Sequence, residues 1–185
     1  GIAGIFNQEI GRDELSSAAK KMASSIEYRG PDDCGLWCDE NVHLAISHQR
    51  LAILDLSSAG HQPMISKSSR YIIAFNGEIY NHLELRDDLH KKNHNSQWRG
   101  HSDTETLLCL IEHYGFENAL TKTVGMFAIA LWDRKERKLK LARDRFGEKP
   151  LYYGLSGSGR KRSFIFASEI SALKSWGGFD ACDLP

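Results

Sequence analysis

The sequence lacks an excess of charge of either sign: across 185 residues, Lys and Arg number 24 and Asp and Glu also number 24. A balanced chain offers no broad electrostatic attraction to a polyanion, which argues against nucleic acid as its partner. A long apolar run is also missing. The longest, MFAIALW from Met126 to Trp132, is far shorter than the ~20 residues that cross a bilayer as a helix. The opening GIAGIF has no basic flank, extended apolar core or cleavage pattern of a secretory leader. These absences lead to the expectation of a mature cytoplasmic chain with no membrane partner. Cysteine is scarce: Cys34, Cys38, Cys109 and Cys182 form no CxxC pair and have no histidines at zinc-ligand spacing. The eight histidines form no HExxH group, so no metal is expected. Cys34 and Cys38 are four apart and would share one face of a strand, where a bridge or a metal is geometrically open. Free thiols in a reducing compartment are the simpler reading. No GxxxxGK[ST] or other phosphate-cradling loop occurs either, so nucleotide chemistry is not expected of this segment.

What is present describes an ordinary globular chain. Hydrophobic residues at 41% and charged residues at 26% exclude a disordered composition. The length suits one large domain burying roughly 70% of its unfolded surface. Short apolar stretches bounded by Gly, Asn, Asp or Ser predict strands at Ile2 to Phe6, Leu36 to Asp39, Val42 to Ser47, Tyr71 to Phe75, Met126 to Trp132, Lys138 to Ala142, Leu151 to Tyr153 and Ser163 to Ala167. Helical spacing predicts helices over 15–26, 83–89 and 104–114, with shorter pieces at 116–123 and 169–176. YIIAF and MFAIALW are apolar on both faces, which implies sheets covered on both sides. The expected fold class is therefore α+β, with sheet packed on sheet and helices outside. DRKERKLK reads as a solvated hairpin tip and SGSGRKR as a loop, while SWGGFDACDLP shifts to the small, turn-forming residues of a domain edge.

Three motifs carry candidate chemistry. FNGEIYN places Asn76 and Gly77 directly after a buried strand, where a tight turn uses Gly or Asn at positive φ. The same pair, a side-chain amide beside a glycine N–H at a strand end, is also what an oxyanion hole is built from. HQRLAILD puts Arg50 at the end of another strand, and HSDTE puts Asp103 at a helix start, where it reads equally as an N-cap. Together they would suit a free amino acid attacked at its side-chain carbonyl. A guanidinium grips the carboxylate, an aspartate accepts from the α-ammonium, and the Asn/Gly pair faces the developing oxyanion. No Ser, Cys or Thr stands in an evident relay with His and Asp, so the nucleophile is not found this way.

In order along nearly the whole chain, GIAGIF, RGPDDCG, HQRLAILDLSSAGHQP, FNGEIYN, SDTE, GMFAIALWD, RDRFGEKPLYY and FASE resemble the glutaminase domain of asparagine synthetase-type enzymes. These are class II, N-terminal-nucleophile glutamine amidotransferases. RGPD, the RLAI run, NGEIYN and RDRFGEKPLYY are similar to the asparagine synthetase branch rather than to the sugar-phosphate or purine branches. The resemblance implies a four-layer αββα sandwich of the N-terminal nucleophile hydrolase type, with two mainly antiparallel sheets between helices. It implies a glutaminase domain over residues 1–175 and, over 176–185, the start of a linker to a C-terminal ATP-dependent synthetase domain outside this sequence.

It also implies a nucleophilic cysteine immediately before Gly1. None of the four cysteines in the chain has a free α-amine, so none can substitute. A thiol of pKa ~8.5 is only partly ionised at neutral pH, and an α-amine of pKa ~7.7 to 8.0 on the same residue is a base suited to activating it. By family match, Asn76 and Gly77 form the oxyanion hole, Arg50 holds the glutamine α-carboxylate with backbone from Leu51 and Ile53 shaping the site, and Glu78 and Asp103 take the α-ammonium. Arg29, Asp144 and Arg145 are assigned to loop and hairpin architecture, with Arg29/Asp32 and Asp144/Arg145 as candidate pairs. L-glutamine is the implied substrate. No cofactor is implied for this domain, ATP and Mg belonging to the synthetase domain, and a homodimer is compatible with the resemblance. Two rival readings are a catalytically silent glutamine-binding module, if no cysteine precedes Gly1, and a nucleic-acid scaffold using RKERKLK and GRKR, which zero net charge disfavours.

Overall fold

Apolar alternation and helical spacing translate into fourteen principal elements among the residues that the structure, a computed structural model, describes: 1–92, 97–157 and 162–176. In chain order they are β1 (Ile2–Phe6), α1 (Arg12–Ser24), β2 (Asp33–Asp39), β3 (Leu44–Arg50), β4 (Met64–Ile65), β5 (Tyr71–Ile79), α2 (His82–Lys91), α3 (Asp103–Tyr114), α4 (Phe116–Lys122), β6 (Gly125–Asp133), β7 (Lys138–Arg143), β8 (Tyr152–Ser156), β9 (Ser163–Ala167) and α5 (Ile170–Ser175). Most of the SGSGRKR loop and all but the first residue of the expected 176–185 linker lie outside the described residues.

Several boundaries differ from the sequence reading, among them the start of β2 at Asp33 rather than Leu36 and the end of β8 at Ser156 rather than Tyr153. β3 starts at Leu44 rather than Val42 because the chain turns through His43, whose φ is 55°. The strand then runs on to Arg50, since its pairing with β2 continues to Asp33 opposite Arg50. β5 extends four residues past the apolar run that ends at Phe75, because its ladder with β6 continues to Ile79 opposite Gly125. β4 has only two residues, too few for alternation to register.

The chain forms two compact units. One comprises Gly1–Leu51 with Pro150–Pro185, and the other Ala52–Lys149. In the first, a five-stranded sheet has the order β2-β3-β1-β9-β8, antiparallel throughout. Leu15, Ala18, Ala19 and Met22 recur at helical spacing along α1 and are buried. They share one apolar cluster with Ile5 of β1, Ala45 of β3, Ile165 of β9 and Leu173 of α5.

In the second unit a four-stranded antiparallel sheet has the order β4-β5-β6-β7. Its core joins Ile73 and Phe75 of β5 and Ile129 and Leu131 of β6 to Leu107, Leu108, Leu110 and Ile111 of α3. Residues 71–75 and 127–133 are buried on both faces of their strands, as two-sided apolarity predicts. The DRKERKLK segment is the turn between β6 and β7. The class is therefore α+β with two antiparallel sheets, each backed by helices. No helix among the described residues is long and apolar enough to cross a membrane, and Cys34, Cys38 and Cys109 are free thiols.

RGPDD folds against the end of β3. Asp32 N–H donates to Arg50 O (3.1 Å), and Pro31 bridges to Arg50. A Cβ at Gly30 would lie 2.5 Å from both Arg50 C and Gln49 O. These are backbone atoms of a buried strand and cannot yield without bending it. Gly30→Ala should therefore destabilise the protein by roughly 1–3 kcal/mol, read as a lower urea midpoint at unchanged m.

Candidate functional site

In the first unit, the start of the chain pairs with the end of β3. Gly1 N donates to Gln49 O (2.5 Å) and Gln49 N–H to Gly1 O (2.7 Å), continuing the register that sets Ile2 opposite His48. Ile2 N–H donates to Ser168 Oγ (2.9 Å). Gly1 is buried, and a Cβ there would meet Ile26 and Arg29 side chains at 3.1 to 3.4 Å. Arg29 pairs with Glu169 (2.6 Å), a partner 140 residues away that the Arg29/Asp32 pairing does not anticipate. Arg50 is buried at the strand end, next to exposed Leu51. One unit thus brings together Gly1, the RGP turn and Arg50.

The second unit holds Ile53, Asn76, Gly77, Glu78 and Asp103. Ile53 is exposed, in the loop that follows Leu51 and Ala52. Asn76 and Gly77 are inside β5, opposite Ala128 and Phe127, not in a turn after it, and Gly77 is not among the glycines at positive φ. Glycine is needed for a different reason: an added Cβ would overlap Met126 O and come within 2.7 Å of Phe127 Cα.

Strand geometry then assigns the Gly77 N–H a direction. Phe75 N–H donates to Gln62 Oε1 (2.7 Å) and Ile79 N–H to Asp103 Oδ2 (2.8 Å). Both therefore point to the β4 side of β5, beyond the two residues that β4 covers. Alternate N–H groups of an antiparallel strand point the same way, so Gly77 N–H opens onto that edge between them. On the neighbouring residue, the Asn76 Nδ2 is buried without a hydrogen-bond partner among the described residues. Two donors, side by side and unclaimed, are what a developing oxyanion requires.

Asp103 is the first residue of α3, while Ser102 is the N-cap, its Oγ accepting from Thr104 N–H. The Asp103 carboxylate instead joins helix to strand, accepting from Thr104 N–H (2.8 Å) at one oxygen and Ile79 N–H at the other. Burial pushes its pKa up to about 6, against those hydrogen bonds, and the negative charge of Glu78 adds to the rise. Glu78 and Asp103 are thus electrostatic neighbours, as a shared cation site requires.

Sequence reasoning missed the side chains that hold this edge. Gln62, in addition to covering Phe75, donates to Thr104 Oγ1 (3.3 Å). Asp55 accepts from Ser57 N–H (2.8 Å) and His101 N–H (2.7 Å). Arg86 donates to Gly100 O, Ser102 O and Thr106 Oγ1. Gln62 and Asp55 lie within the HQRLAILDLSSAGHQP motif and Arg86 within the expected 83–89 helix, but no periodicity marks a side chain whose partner is distant backbone. Asp144, assigned to hairpin architecture, does shape the turn after β7: its carboxylate accepts from the N–H groups of Phe127, Phe146, Glu148 and Lys149. The Cys38 thiol is pushed up by burial, the reverse of an activated nucleophile.

Asp103 supplies a pH test. Its folded pKa, about 6, lies above the 3.8 of the free group, so between those values the folded state binds more protons and the group's contribution to stability falls as pH rises. Asp103→Asn removes this dependence. Relative to the parent, the variant should gain up to about 3 kcal/mol as pH is raised from about 4 to 7, on top of a constant penalty for the lost acceptor, in urea unfolding at each pH.

Comparison with known proteins shows the family of the chain. The family model for the glutamine amidotransferase domain matches residues 1–182. The chain is similar to two Bacillus subtilis proteins, asparagine synthetase [glutamine-hydrolyzing] 2, at 41% identity over 95% of this chain and 22% of that protein, and asparagine synthetase [glutamine-hydrolyzing] 1, at 42% over 94% and 26%. It therefore spans about a quarter of the length of these relatives. Among solved structures, the glutamine phosphoribosylpyrophosphate amidotransferase of B. subtilis superposes with a TM-score of 0.76 over 95% of this chain and 43% of that one, at 24% identity, a likeness of fold. With the family match running almost end to end over the motifs that build both units, the chain belongs to the glutamine amidotransferase domain family.

Proposed function

We propose that this domain hydrolyses L-glutamine to glutamate and ammonia through a cysteine immediately before Gly1, and that the ammonia serves an amidation of the asparagine synthetase type in a longer protein. The observation that carries the reading is the buried, unpartnered Asn76 Nδ2 beside the edge-facing Gly77 N–H. A buried donor without a partner costs about 1–3 kcal/mol, a cost expected where a transient ligand, here an oxyanion, supplies the acceptor. If the β1–β3 register continued, a residue before Gly1 would stand opposite Arg50, the residue proposed to bind the α-carboxylate.

The chemistry follows from these groups. The α-amine of the cysteine takes the thiol proton, and the thiolate attacks the side-chain amide carbon. Asn76 and Gly77 donate to the oxyanion. The proton passes to the departing nitrogen, ammonia leaves, and water cleaves the thioester to glutamate. Arg50 pairs with the α-carboxylate, backbone of Leu51 and Ile53 shapes the site, and Glu78 with ionised Asp103 holds the α-ammonium. The names of the Bacillus relatives support an asparagine synthetase-type acceptor. In this reading ATP and Mg serve the synthetase part, and glutamine hydrolysis needs neither.

The test is glutamate release from L-glutamine by the protein with a single cysteine before Gly1. Activity should require that cysteine, and Asn76→Ala in that background should lower kcat by ~10² to 10³ with the thermal midpoint retained. Near-parental turnover by Asn76→Ala would remove the oxyanion role. No release by the parent would favour the silent glutamine-binding alternative.

A further inference from the structure

Asp103 follows a turn, residues 98–102, that has no regular secondary structure and is held by three charged side chains, Asp55 and Glu105 buried and Arg86 largely so. Arg86 on α2 supplies the donors: Nη1 to Gly100 O (2.9 Å), Nη2 to Ser102 O (2.8 Å) and Nε to Thr106 Oγ1 (2.7 Å). Its guanidinium also lies 4.1 Å over the Trp98 ring. Glu105 and Asp55 supply the acceptors. Glu105 takes the N–H groups of Arg99 (2.8 Å) and Gly100 (3.1 Å), and Asp55 takes that of His101 (2.7 Å). Burying a guanidinium is costly unless its donors are matched, and here the fork fits carbonyls on both sides of His101. Lysine, a point charge, cannot span both.

We propose that Arg86 is a positioning residue for glutamine recognition: by clamping Gly100 O and Ser102 O it fixes the orientation of the Asp103 carboxylate and so sets selectivity for the α-ammonium group. The inference rests on the proposed function and assigns the clamp to residues outside its reacting set. Ser102 is bonded directly to Asp103, so movement of its carbonyl carries the carboxylate away from Ile79 N–H and the Glu78 charge. The Asn76–Gly77 pair lies within the β5–β6 ladder, and none of the Arg86 hydrogen bonds ends on either residue.

The experiment compares L-glutamine with glutaramate, which is glutamine without its α-amino group, on the protein with a cysteine before Gly1. In Arg86→Lys, kcat/KM for glutamine should fall roughly 10- to 100-fold, the loss of charge-assisted hydrogen bonds. The loss should reside in KM, with glutaramate changed by no more than about twofold. Asp55→Asn, acting on the other side of the turn, should fall in the same sense. Equal losses for both substrates, or no loss in either variant, would overturn the proposal. If the parent releases no glutamate, the functional reading fails by itself, and hydrogen exchange then decides the clamp. Faster exchange at the Ile79 and Thr104 amides in Arg86→Lys, with Ile129 in β6 unchanged, upholds it, and unchanged protection at all three overturns it.

Discussion

The open edge of β5 is the constraint on which the second unit depends. β4 pairs only with Ile72 and Ile73, yet β5 continues to Ile79, leaving the N–H groups of Phe75, Gly77 and Ile79 without a strand to receive them. Buried amides left unpaired cost about 1–3 kcal/mol each, so side chains replace the missing strand. Gln62 covers Phe75 and Asp103 covers Ile79. This substitution brings the first turn of α3 against the strand, since Asp103 and Thr104 are both engaged with it or with Gln62. Gly77, between the two covered amides, keeps a donor for a ligand.

That arrangement concentrates cost where ligand chemistry is proposed. Asp103 is ionised only against burial and the charge of Glu78, and Asn76 Nδ2 is buried without an acceptor among the described residues. A cation beside the two carboxylates and an oxyanion beside the two donors would relieve both. Perturbed and unsatisfied groups gathered within a few residues are the physical mark of a site, where stability is given up for binding. The surrounding charges behave differently: buried Glu105 and Asp55 and part-buried Arg86 are matched to backbone groups of a turn.

In the first unit the chain start is held largely by backbone contacts. Gly1 exchanges both hydrogen bonds with Gln49, and Gly30 lies against the Arg50 backbone where a Cβ has no room. The RGP turn, the chain start and Arg50 are thereby held to one another mainly by backbone atoms. The same steric logic puts glycine at 77, where the neighbour is the β6 backbone. The sequence offers a turn or an oxyanion donor as reasons for that glycine, and the structure replaces the turn with a close approach, because a glycine's type does not say which of these requires it.

Periodicity by itself determined most strands and helices, the two-sided burial of β5 and β6, and the position of Asp103 at a helix start. These follow from local patterns of period 2 and 3.6 that the chain carries regardless of its partners. The ordered motifs also determined the family. Only the tertiary structure decided that β5 runs through Asn76 and Gly77, that Arg29 pairs with Glu169, and that Gln62, Asp55 and Arg86 support the Asp103 turn. Their partners lie 13 to 140 residues away, and most are backbone atoms. A backbone atom is the same at every position, so nothing in the sequence identifies which one a distant polar side chain will meet.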